Sequence, residues 1–294
     1  MAWITGHDSG HLHDCKEGAG LGLSDCEFQS LGGLIERECG FYLGAEKRTF
    51  LESRLRKRMD ELGLKAAHDY YCLLRDDRER DRELPTLLDR LMICETSFFR
   101  NITQFELLTE VVLPDLITGK ERTGSQLIRV WSAGCATGQE PYSLAICLNE
   151  ALAGRGAWTI RVLASDLSFT ALEKAQSGHY RRDQLGGISP EYFKSYFTEE
   201  GGSYRINDFV RREVIFSYHN LKHDNGMRGL DAIFCRNVLI YFGVEEQRRV
   251  IDRLTRCLAP GGYLFLGHAE SLQGLSSRFT MVHRNKGIAY RLDG

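Results

Sequence analysis

The chain has 294 residues, of which 43% are hydrophobic and 27% charged, and its formal net charge is −2. This composition is typical of a globular protein with a substantial core and excludes a fibrous or disordered chain. The near-neutral charge gives no global field for nucleic acid or an anionic membrane, so we expect neither as a partner. The apolar runs are far shorter than the about 20 residues of a membrane-spanning helix, so no membrane insertion is expected.

The first 22 residues predict a flexible tail, because they are rich in Gly, His and Asp and show no apolar period. The tail holds potential metal ligands without fixed geometry, and we predict no metal site there or elsewhere. Those ligands are His7, His11, His13, Asp14 and Cys15. No secretory signal is visible, and nine scattered cysteines without a CxxC pair predict free thiols, so the expected location is cytoplasmic.

Residues 23–117 predict a small all-helical domain that ends in a linker helix. Apolar residues at three- and four-residue steps begin after Ser24, a candidate N-cap, with Glu27 at the capping-box position. Further helices are predicted at about Ala45 to Leu62, at about Ala66 to Leu74, and after the charged stretch 75–83, where Pro85 precedes an apolar segment.

Residues 118–294 predict an α/β domain. The polar stretch 118–126 indicates a linker, and the strand and helix patterns that alternate after it are typical of a largely parallel sheet covered on both faces. The irregular, aromatic-rich segment from about 178 to 212 indicates an inserted subdomain. Strands are predicted at 127–131, 160–164, 214–217, 231–235, 262–266, 279–282 and 288–291.

A turn that contains Gly134 and Gly138 follows the first predicted strand and precedes a helix. Such glycines let the backbone approach a ligand closely, or serve only to make a tight turn. A phosphate-binding loop would need a lysine that is missing here, and a dinucleotide fold would prefer the pattern GxGxxG. S-adenosylmethionine has no pyrophosphate and needs only the close approach that this turn provides.

Two carboxylates accompany the turn. Asp166 ends the second predicted strand, where it can accept hydrogen bonds from ribose hydroxyls, or it caps the helix that follows. Glu140 lies in the first turn of a helix, where a carboxylate is favourable in any case. In a functional role, Glu140 would face the cationic methionine end of the cofactor.

Five segments of the chain resemble the CheR family of chemotaxis receptor methyltransferases, and the resemblance runs from about Ser24 to the end. The segments around Arg100 and Tyr241 are the most distinctive, whereas the glycine loop alone is not. The five segments are ETSFFR (95–100), WSAGCATGQEPYS (131–143), HNLK (219–222), FCRNVLIYF (234–242) and GHAES (267–271).

The resemblance implies a Rossmann-like S-adenosylmethionine methyltransferase sheet, a small N-terminal all-helical domain and a small β-subdomain insertion. It also implies methyl esterification of glutamates on the cytoplasmic helical bundle of chemoreceptors, with S-adenosylhomocysteine as product. Arg100 and Tyr241 are expected at the methyl-transfer site. The implied cofactor-binding residues are Thr96, Arg100, Gly134, Gly138, Glu140, Asp166, Asn220, Leu221, Arg236 and Asn237.

This chemistry needs no general base, because a glutamate carboxylate, with a pKa of about 4.3, is already ionised at neutral pH. Arg100 can orient that carboxylate with a two-point fork, and Tyr241 can donate a hydrogen bond or face the sulfonium. The alternatives are that Arg100 pairs with a surface acid and that Tyr241 is an amphipathic core residue.

Substrate contact is expected on the basic second helix, where Arg54 and Arg58 are candidates for docking the acidic receptor helix. The alternative is a solvated face balanced by neighbouring acids. In the insertion, the turn 198–203 is shorter than in relatives that grip a receptor C-terminal pentapeptide, so we expect independence from that tether. A monomer is expected.

Two other functions stay open at this point. A non-catalytic scaffold could bind S-adenosylmethionine for sensing, although such a scaffold could lose Arg100 or Tyr241 and this chain keeps both. A methyltransferase of the same fold could act on a different carboxylate or on a small molecule, and it would share every cofactor residue.

Overall fold

The computed structural model describes residues 22–294. The predicted tail and its His, Asp and Cys ligands therefore lie, apart from residue 22, outside the described residues. Within that range, no grouping of side chains has the makings of a metal site, and no helix has the length and apolar character to cross a membrane. The cysteines of this part of the chain are free and mostly buried.

A helical unit with its own apolar core precedes the sheet. Ser24 caps the first helix through the predicted capping box with Glu27, and Gly40 ends that helix with a φ of 80°. The core packs Leu31, Leu51 and Tyr70 between the helices. The helices are α1 (Asp25–Cys39), α2 (Arg48–Leu62), α3 (Ala67–Arg75) and α4 (Asp77–Leu91).

Helix α4 begins earlier than predicted and includes most of the charged stretch. The Asp76 carboxylate caps it by accepting hydrogen bonds from the backbone N–H groups of Arg78 and Glu79, at 3.0 and 3.1 Å. Most of the charged side chains stay exposed, and Pro85 lies inside the helix. The prediction of a helix starting after Pro85 was wrong, because Asp76 caps the helix and the charged residues form its exposed face.

A long bent helix then joins the helical unit to the sheet. It consists of α5 (Ile102–Leu107), a π-helical turn (Leu108–Val112) and α6 (Leu113–Thr123). The predicted linker at 118–126 is helical through Thr123, so that prediction was wrong: Ile117 is buried, and Lys120 forms an ion pair of 2.7 Å with buried Asp231. The boundary between residues 117 and 118 stays a prediction.

The main sheet is mixed and has the order β6-β2-β1-β7-β8-β10-β9. Its first five strands are parallel, and β10 runs antiparallel between β8 and β9. Because the chain crosses from one side of β1 to the other, the carboxyl ends of β1 and β7 open a crevice. The strands are β1 (Leu127–Ala133), β2 (Thr159–Asp166), β6 (Val214–Tyr218), β7 (Leu230–Cys235), β8 (Leu258–Leu266), β9 (Phe279–Arg284) and β10 (Gly287–Leu292).

Helices cover both faces of the sheet, as the alternating pattern predicts. The apolar cluster on one face includes Leu144 and Ile146 of α7, and the other includes Val250 and Leu254 of α11. The covering helices are α7 (Gln139–Leu152), α8 (Phe169–Ser177) and α11 (Val244–Cys257).

A second, three-stranded sheet lies within the predicted insertion, in the order β3-β5-β4. The hairpin between β4 and β5 turns on Gly201 and Gly202, whose φ angles are 58° and 81°. We call the elements of this region the inserted subdomain. They are β3 (His179–Tyr180), α9 (Pro190–Tyr196), β4 (Phe197–Glu200), β5 (Ser203–Ile206) and α10 (Asp208–Arg211).

Candidate active site

A cleft lies where the carboxyl edge of the main sheet meets the helical unit. It opens to solvent, and its empty space of about 860 Å³ includes part of that opening. Most of the site residues that the sequence predicts line it together. They are Thr96, Arg100, Gly134, Glu140, Asp166, Leu221, Arg236, Asn237 and Tyr241.

The two predicted glycines differ in position. Gly134 lines the cleft with a φ of 89°, and a Cβ there would lie 2.4 Å from Cγ2 of Val238. Gly138 has a φ of 94° and packs on α8, since a Cβ would lie 2.8 Å from that of Ala175. Gly134 therefore shapes the cleft wall directly, whereas Gly138 allows the turn to approach α8.

Asp166 ties the loop after β2 to the glycine loop. Its carboxylate accepts hydrogen bonds from the backbone N–H groups of Ala136, at 2.8 Å, and Ser168, at 2.9 Å. Ser168, not Asp166, is the N-cap of α8, because its hydroxyl accepts from the N–H of Ala171. Burial raises the pKa of Asp166. A carboxylate has about four acceptor positions, so capacity remains for ribose hydroxyls.

Glu140 and Arg236 form a buried ion pair at the inner end of the cleft. Oε2 of Glu140 lies 3.2 Å from Nη1 of Arg236, and its Oε1 accepts a 2.7 Å hydrogen bond from the Ser132 hydroxyl. Burial raises the pKa of Glu140 and lowers that of Arg236. Arg236 also donates to the backbone carbonyl of Arg100, so it links the carboxylate to the ETSFFR segment.

Arg100 lies between two residues with unfavourable backbone angles. Phe99 has a φ of 50° and Asn101 a φ of 62°; asparagine tolerates this region, whereas for Phe99 it costs about 1–3 kcal/mol that the surrounding structure must offset. The N–H of Phe99 donates to the buried Ser143 hydroxyl at 3.0 Å. The Arg100 guanidinium donates to the backbone carbonyl of Glu95 at 2.8 Å. The turn is thus held by hydrogen bonds from the Phe99 backbone and from the Arg100 side chain.

Tyr241 is both a cleft residue and a contact with the helical unit. Its ring stacks on that of Phe41 with 5.2 Å between centroids, and its carbonyl accepts from the N–H of Tyr42 at 2.8 Å. Burial raises the pKa of Tyr241, so the phenol stays protonated at neutral pH and can donate a hydrogen bond. Tyr241 is therefore both a residue of the cleft and a packing residue between the sheet domain and the helical unit.

Asn220 does not line the cleft, although the sequence placed it beside the cofactor. Its side-chain amide donates to the carbonyl of Glu38 at 2.8 Å, and Lys222 donates to the carbonyl of Glu36 at 2.9 Å. Both side chains fasten the chain to the C-terminal end of α1, where a donor is favourable. The neighbours His219 and Leu221 line the cleft instead.

Glu270 is a site residue that sequence reasoning missed. Its carboxylate accepts backbone hydrogen bonds from Asn237 and Val238, at 2.8 Å each, from Leu239 at 2.7 Å, and from Gly267 at 2.5 Å. Asn237 has a φ of 59°, so this carboxylate holds a strained turn in the cleft wall. The GHAES segment was the available signal, but a pattern does not show which N–H groups a carboxylate meets.

Residues from the helical unit and from the segment that follows it also line the cleft, and the sequence did not predict them. They are Phe41, Met92 and Cys94. Burial raises the pKa of the Cys94 thiol to about 11, so it is neutral at physiological pH. This part of the wall is therefore apolar and uncharged.

The predicted docking residues of α2 lie outside the cleft and differ from one another. Arg58 is 18% exposed, and its Nε donates to Oε1 of Glu83 at 2.8 Å, while the hydroxyl of Tyr70 donates to the same oxygen at 2.6 Å. The fork of Arg58 is therefore occupied by a buried carboxylate, and its docking role stays a prediction. Arg54 is exposed, with its guanidinium 5.4 Å from the centroid of the Phe50 ring.

An open groove adjoins the cleft and shares part of its wall. Thr96 and Arg100 line both, and the groove continues past Ile102 to Lys174 and Gly187. Arg100 therefore faces the cleft on one side and the more open groove on the other.

The parallel sheet with a reversed β10, the glycine loop and the carboxylate that follows β2 define a class, the S-adenosylmethionine-dependent methyltransferases. Comparison with protein families agrees. The model of the CheR methyltransferase all-alpha domain matches residues 27–92, and that of the CheR methyltransferase SAM binding domain matches residues 94–288. The chain belongs to the CheR methyltransferase family.

Named relatives match over nearly their whole length. Chemotaxis protein methyltransferase 1 of Pseudomonas aeruginosa is 36% identical, covering 92% of this chain and 99% of that protein. The chemotaxis protein methyltransferase of Vibrio parahaemolyticus is 37% identical, covering 92% and 98%. That of Escherichia coli is 35% identical, covering 89% and 90%. A solved structure of the N-methyltransferase NodS from Bradyrhizobium japonicum is 15% identical over 65% of this chain and all of that one, with a TM-score of 0.38, which is too weak to add to the family match.

The residues of the cleft fit S-adenosylmethionine. Asp166 offers acceptors for two hydroxyls, and Glu140 offers a carboxylate for an ammonium group. A side chain larger than hydrogen at Gly134 would occupy space beside Val238. The wall thus combines two separated acidic positions with apolar surface, which matches a cofactor that has a ribose, an adenine and an amino-acid end.

Proposed function

We propose that this chain transfers the methyl group of S-adenosylmethionine to glutamate side chains on the cytoplasmic helical bundle of chemotaxis receptors. The observation that carries the proposal is the position of Arg100, which lines both the cofactor cleft and the open groove. A glutamate that enters along the groove would meet a guanidinium at the mouth of the cofactor site. Arginine recognises a carboxylate in two-point geometry, and this favours an acidic acceptor over a neutral one.

We assign the cofactor roles by position. Asp166 would hold the ribose, Glu140 the methionine ammonium, and Leu221 would pack beside the adenine. The ion pair with Arg236 fixes the Glu140 carboxylate. Arg236 also donates a hydrogen bond to the Arg100 carbonyl, so it fixes the backbone of Arg100 relative to Glu140. Thr96 and Asn237 complete the wall.

S-adenosylmethionine supplies an electrophilic methyl group on a sulfonium. In the transfer, a carboxylate oxygen would bond to the methyl carbon as the carbon–sulfur bond breaks, and the electron pair of the broken bond would go to sulfur. No proton moves. An anion and a cation become two neutral groups, so a cleft with little water favours the step. Arg100 orients the carboxylate with one oxygen free, and the protonated Tyr241 donates a hydrogen bond to the other oxygen or faces the sulfonium.

We propose that Arg54 on α2 contributes to receptor docking. Arg54 is exposed, as is Lys57 beside it, and an acidic helix would be attracted to both. Arg54→Glu should lower receptor methylation at low salt and have less effect at high salt, where screening weakens the contact. Arg155 follows the C-terminal end of α7, and Arg155→Glu is the matched control, which should leave receptor methylation unchanged. Equal effects of both substitutions would contradict the docking role.

We also propose that the enzyme does not depend on a receptor C-terminal pentapeptide. Support comes from the two-glycine turn between β4 and β5, which leaves no longer loop to fold over a peptide. Calorimetry with a receptor C-terminal pentapeptide should detect no binding. Affinity in the micromolar range would refute the proposal.

A monomeric state stays a prediction. A cytoplasmic location also stays a prediction, and the free cysteines support it.

The proposed function is tested by incubating the protein with methyl-labelled S-adenosylmethionine and receptor cytoplasmic fragments. We expect label on the receptor that base releases as methanol, because carboxyl methyl esters hydrolyse readily. Label that resists base would indicate N-methylation and would refute the glutamate acceptor. Label absent from receptor fragments but present on a different carboxylate protein would favour the alternative of another acceptor.

A further inference from the structure

Aromatic side chains of the inserted subdomain pack against the two phenylalanines that precede Arg100. The Phe98 ring meets Phe197 edge-on with 5.4 Å between centroids, and Tyr180 edge-on at 5.0 Å. The Phe99 ring lies 5.6 Å from that of Tyr192, tilted by 30°. The subdomain and the ETSFFR segment therefore share one aromatic cluster.

The segment that receives these contacts needs external support. Phe99 and Asn101 both have positive φ angles, which side chains other than glycine rarely adopt. The backbone of Phe98 is also tightly enclosed, because a Cβ on Gly187 would lie 2.6 Å from the Phe98 carbonyl oxygen. Packing on Phe98 and Phe99 thus opposes relaxation of the turn, and relaxation would move Arg100.

The supporting helix is itself fixed. The Tyr196 hydroxyl donates a 2.6 Å hydrogen bond to Glu150 of α7, so α9 is anchored to the helix that covers the main sheet. Tyr192 lies one turn earlier on α9 and is partly exposed. It lines neither the cleft nor the groove as the described residues form them, so it meets the site only through Phe99.

We propose that the inserted subdomain holds Arg100 in its working position, with Tyr192 and Phe197 as positioning residues. The inference rests on the proposed function, because it takes Arg100 to orient the acceptor carboxylate. It gives the subdomain a role in this chain that does not require a receptor tether. A small displacement of an orienting group costs rate even when every catalytic atom is present.

The test compares Tyr192→Ala with Tyr192→Phe. Removing the ring should lower kcat for receptor methylation about 10-fold, since misplacement of about 1 Å can cost up to about 100-fold. Tyr192→Phe keeps the ring and should retain wild-type kcat. The affinity for S-adenosylhomocysteine, measured by calorimetry, should stay within about twofold, because hydrogen bonds and an ion pair outside the aromatic cluster hold the carboxylates of Asp166 and Glu140. Phe209→Ala removes another aromatic side chain, one that packs on Tyr196 and is 48% exposed, and serves as a control for general loss of packing.

A double-mutant cycle shows whether Tyr192 acts through Arg100. In an Arg100→Lys background, Tyr192→Ala should cause less than about a twofold further loss, because the group it positions has already changed. The same factor in both backgrounds would overturn the inference, as would wild-type kcat for Tyr192→Ala. If Tyr192→Ala melts early, Tyr192→Leu keeps apolar volume without the ring and carries the same expectations. Receptor fragments that take up no base-labile label from the wild-type enzyme would instead refute the proposed function.

Discussion

Charged side chains at the carboxyl edge of the sheet converge on one cleft, whereas those of α2 are divided between internal ion pairs and solvent. At the edge, Asp166, Glu140 and Arg236 come from three segments far apart in sequence and line one cavity. On α2, Arg58 turns inward to Glu83, while Arg54, one helical turn away, stays exposed. The two regions contain the same kinds of residue in very different surroundings.

The difference follows from how each region brings charges together. Parallel strands place their carboxyl ends at one edge, so residues that follow strands meet by topology. The charges of a helix surface meet whichever neighbours the packing supplies, and Glu83 lies 25 residues from Arg58. Substitutions at the edge should therefore change cofactor binding or methyl transfer, whereas those on α2 should change either folding stability or receptor docking.

The largest expected effect is the loss of methyl transfer in Arg100→Ala. Because Arg100 would orient the acceptor carboxylate, kcat/KM for receptor fragments should fall about 100-fold or more. The Kd for S-adenosylhomocysteine should rise only a few-fold, since Glu140 and Asp166 remain. A radiolabel assay and calorimetry on the same preparation measure the two quantities. Equal losses of affinity and rate would mean that Arg100 belongs to the cofactor half of the cleft alone.

Arg58→Ala should destabilise the helical unit rather than change catalysis. It leaves the Glu83 carboxylate buried without its ion-pair partner, which costs about 3 kcal/mol of unfolding free energy. We expect a melting temperature lower by about 6 °C or more. Arg54→Ala, the matched control on the same helix, should leave the melting temperature unchanged. Similar melting curves for the two variants would contradict the division between inward and outward arginines.

Glu270→Gln tests the turn that carries Asn237. An amide can accept with only one atom, so backbone N–H groups now bound to both carboxylate oxygens would lose strong partners. The expected loss is about 2 kcal/mol of unfolding free energy, with weaker binding of S-adenosylhomocysteine. Glu245→Gln, at an exposed position of α11, is the control and should change neither quantity. Wild-type stability and affinity in Glu270→Gln would contradict the bracing role.

Cofactor affinity should fall on acidification, with a smaller effect than the substitutions above. Burial raises the pKa of Asp166 and Glu140, so each takes up a proton at a higher pH than an ordinary carboxyl. The protonated forms lose the charge that would hold the cofactor, so lowering the pH from 7 to 5 should weaken binding of S-adenosylhomocysteine about threefold or more. Calorimetry across this range should show a smaller change for Glu140→Gln. A Kd that does not vary with pH would contradict both carboxylate roles.

The predictable part of the molecule was the part governed by local pattern and sheet topology. The strands and the helices that cover them follow from periodicity, and Gly134 and Asp166 lie at the cleft because Gly134 directly follows β1 and Asp166 ends β2. The start of α4 was missed because its first turns are charged and begin at the Asp76 cap, and the helical run through Thr123 was missed because its surface is polar.

The unpredictable part depends on which distant groups meet. Asn220 was placed at the cofactor, but its amide reaches the carbonyl of Glu38, and no spacing rule relates positions 182 residues apart. The contact of Arg58 with Glu83 and the contacts of Glu270 with backbone N–H groups likewise join residues far apart in sequence. Such contacts become visible only when the whole chain is packed.

The central claim is that the cleft at the carboxyl edge binds S-adenosylmethionine through Asp166. Calorimetric titration of S-adenosylhomocysteine into the wild-type protein and into Asp166→Ala tests it most directly. Loss of the carboxylate removes acceptors for the ribose hydroxyls and frees the N–H groups of Ala136 and Ser168, so we expect a Kd at least about 10-fold higher. Unaltered affinity in a folded Asp166→Ala protein would contradict the account.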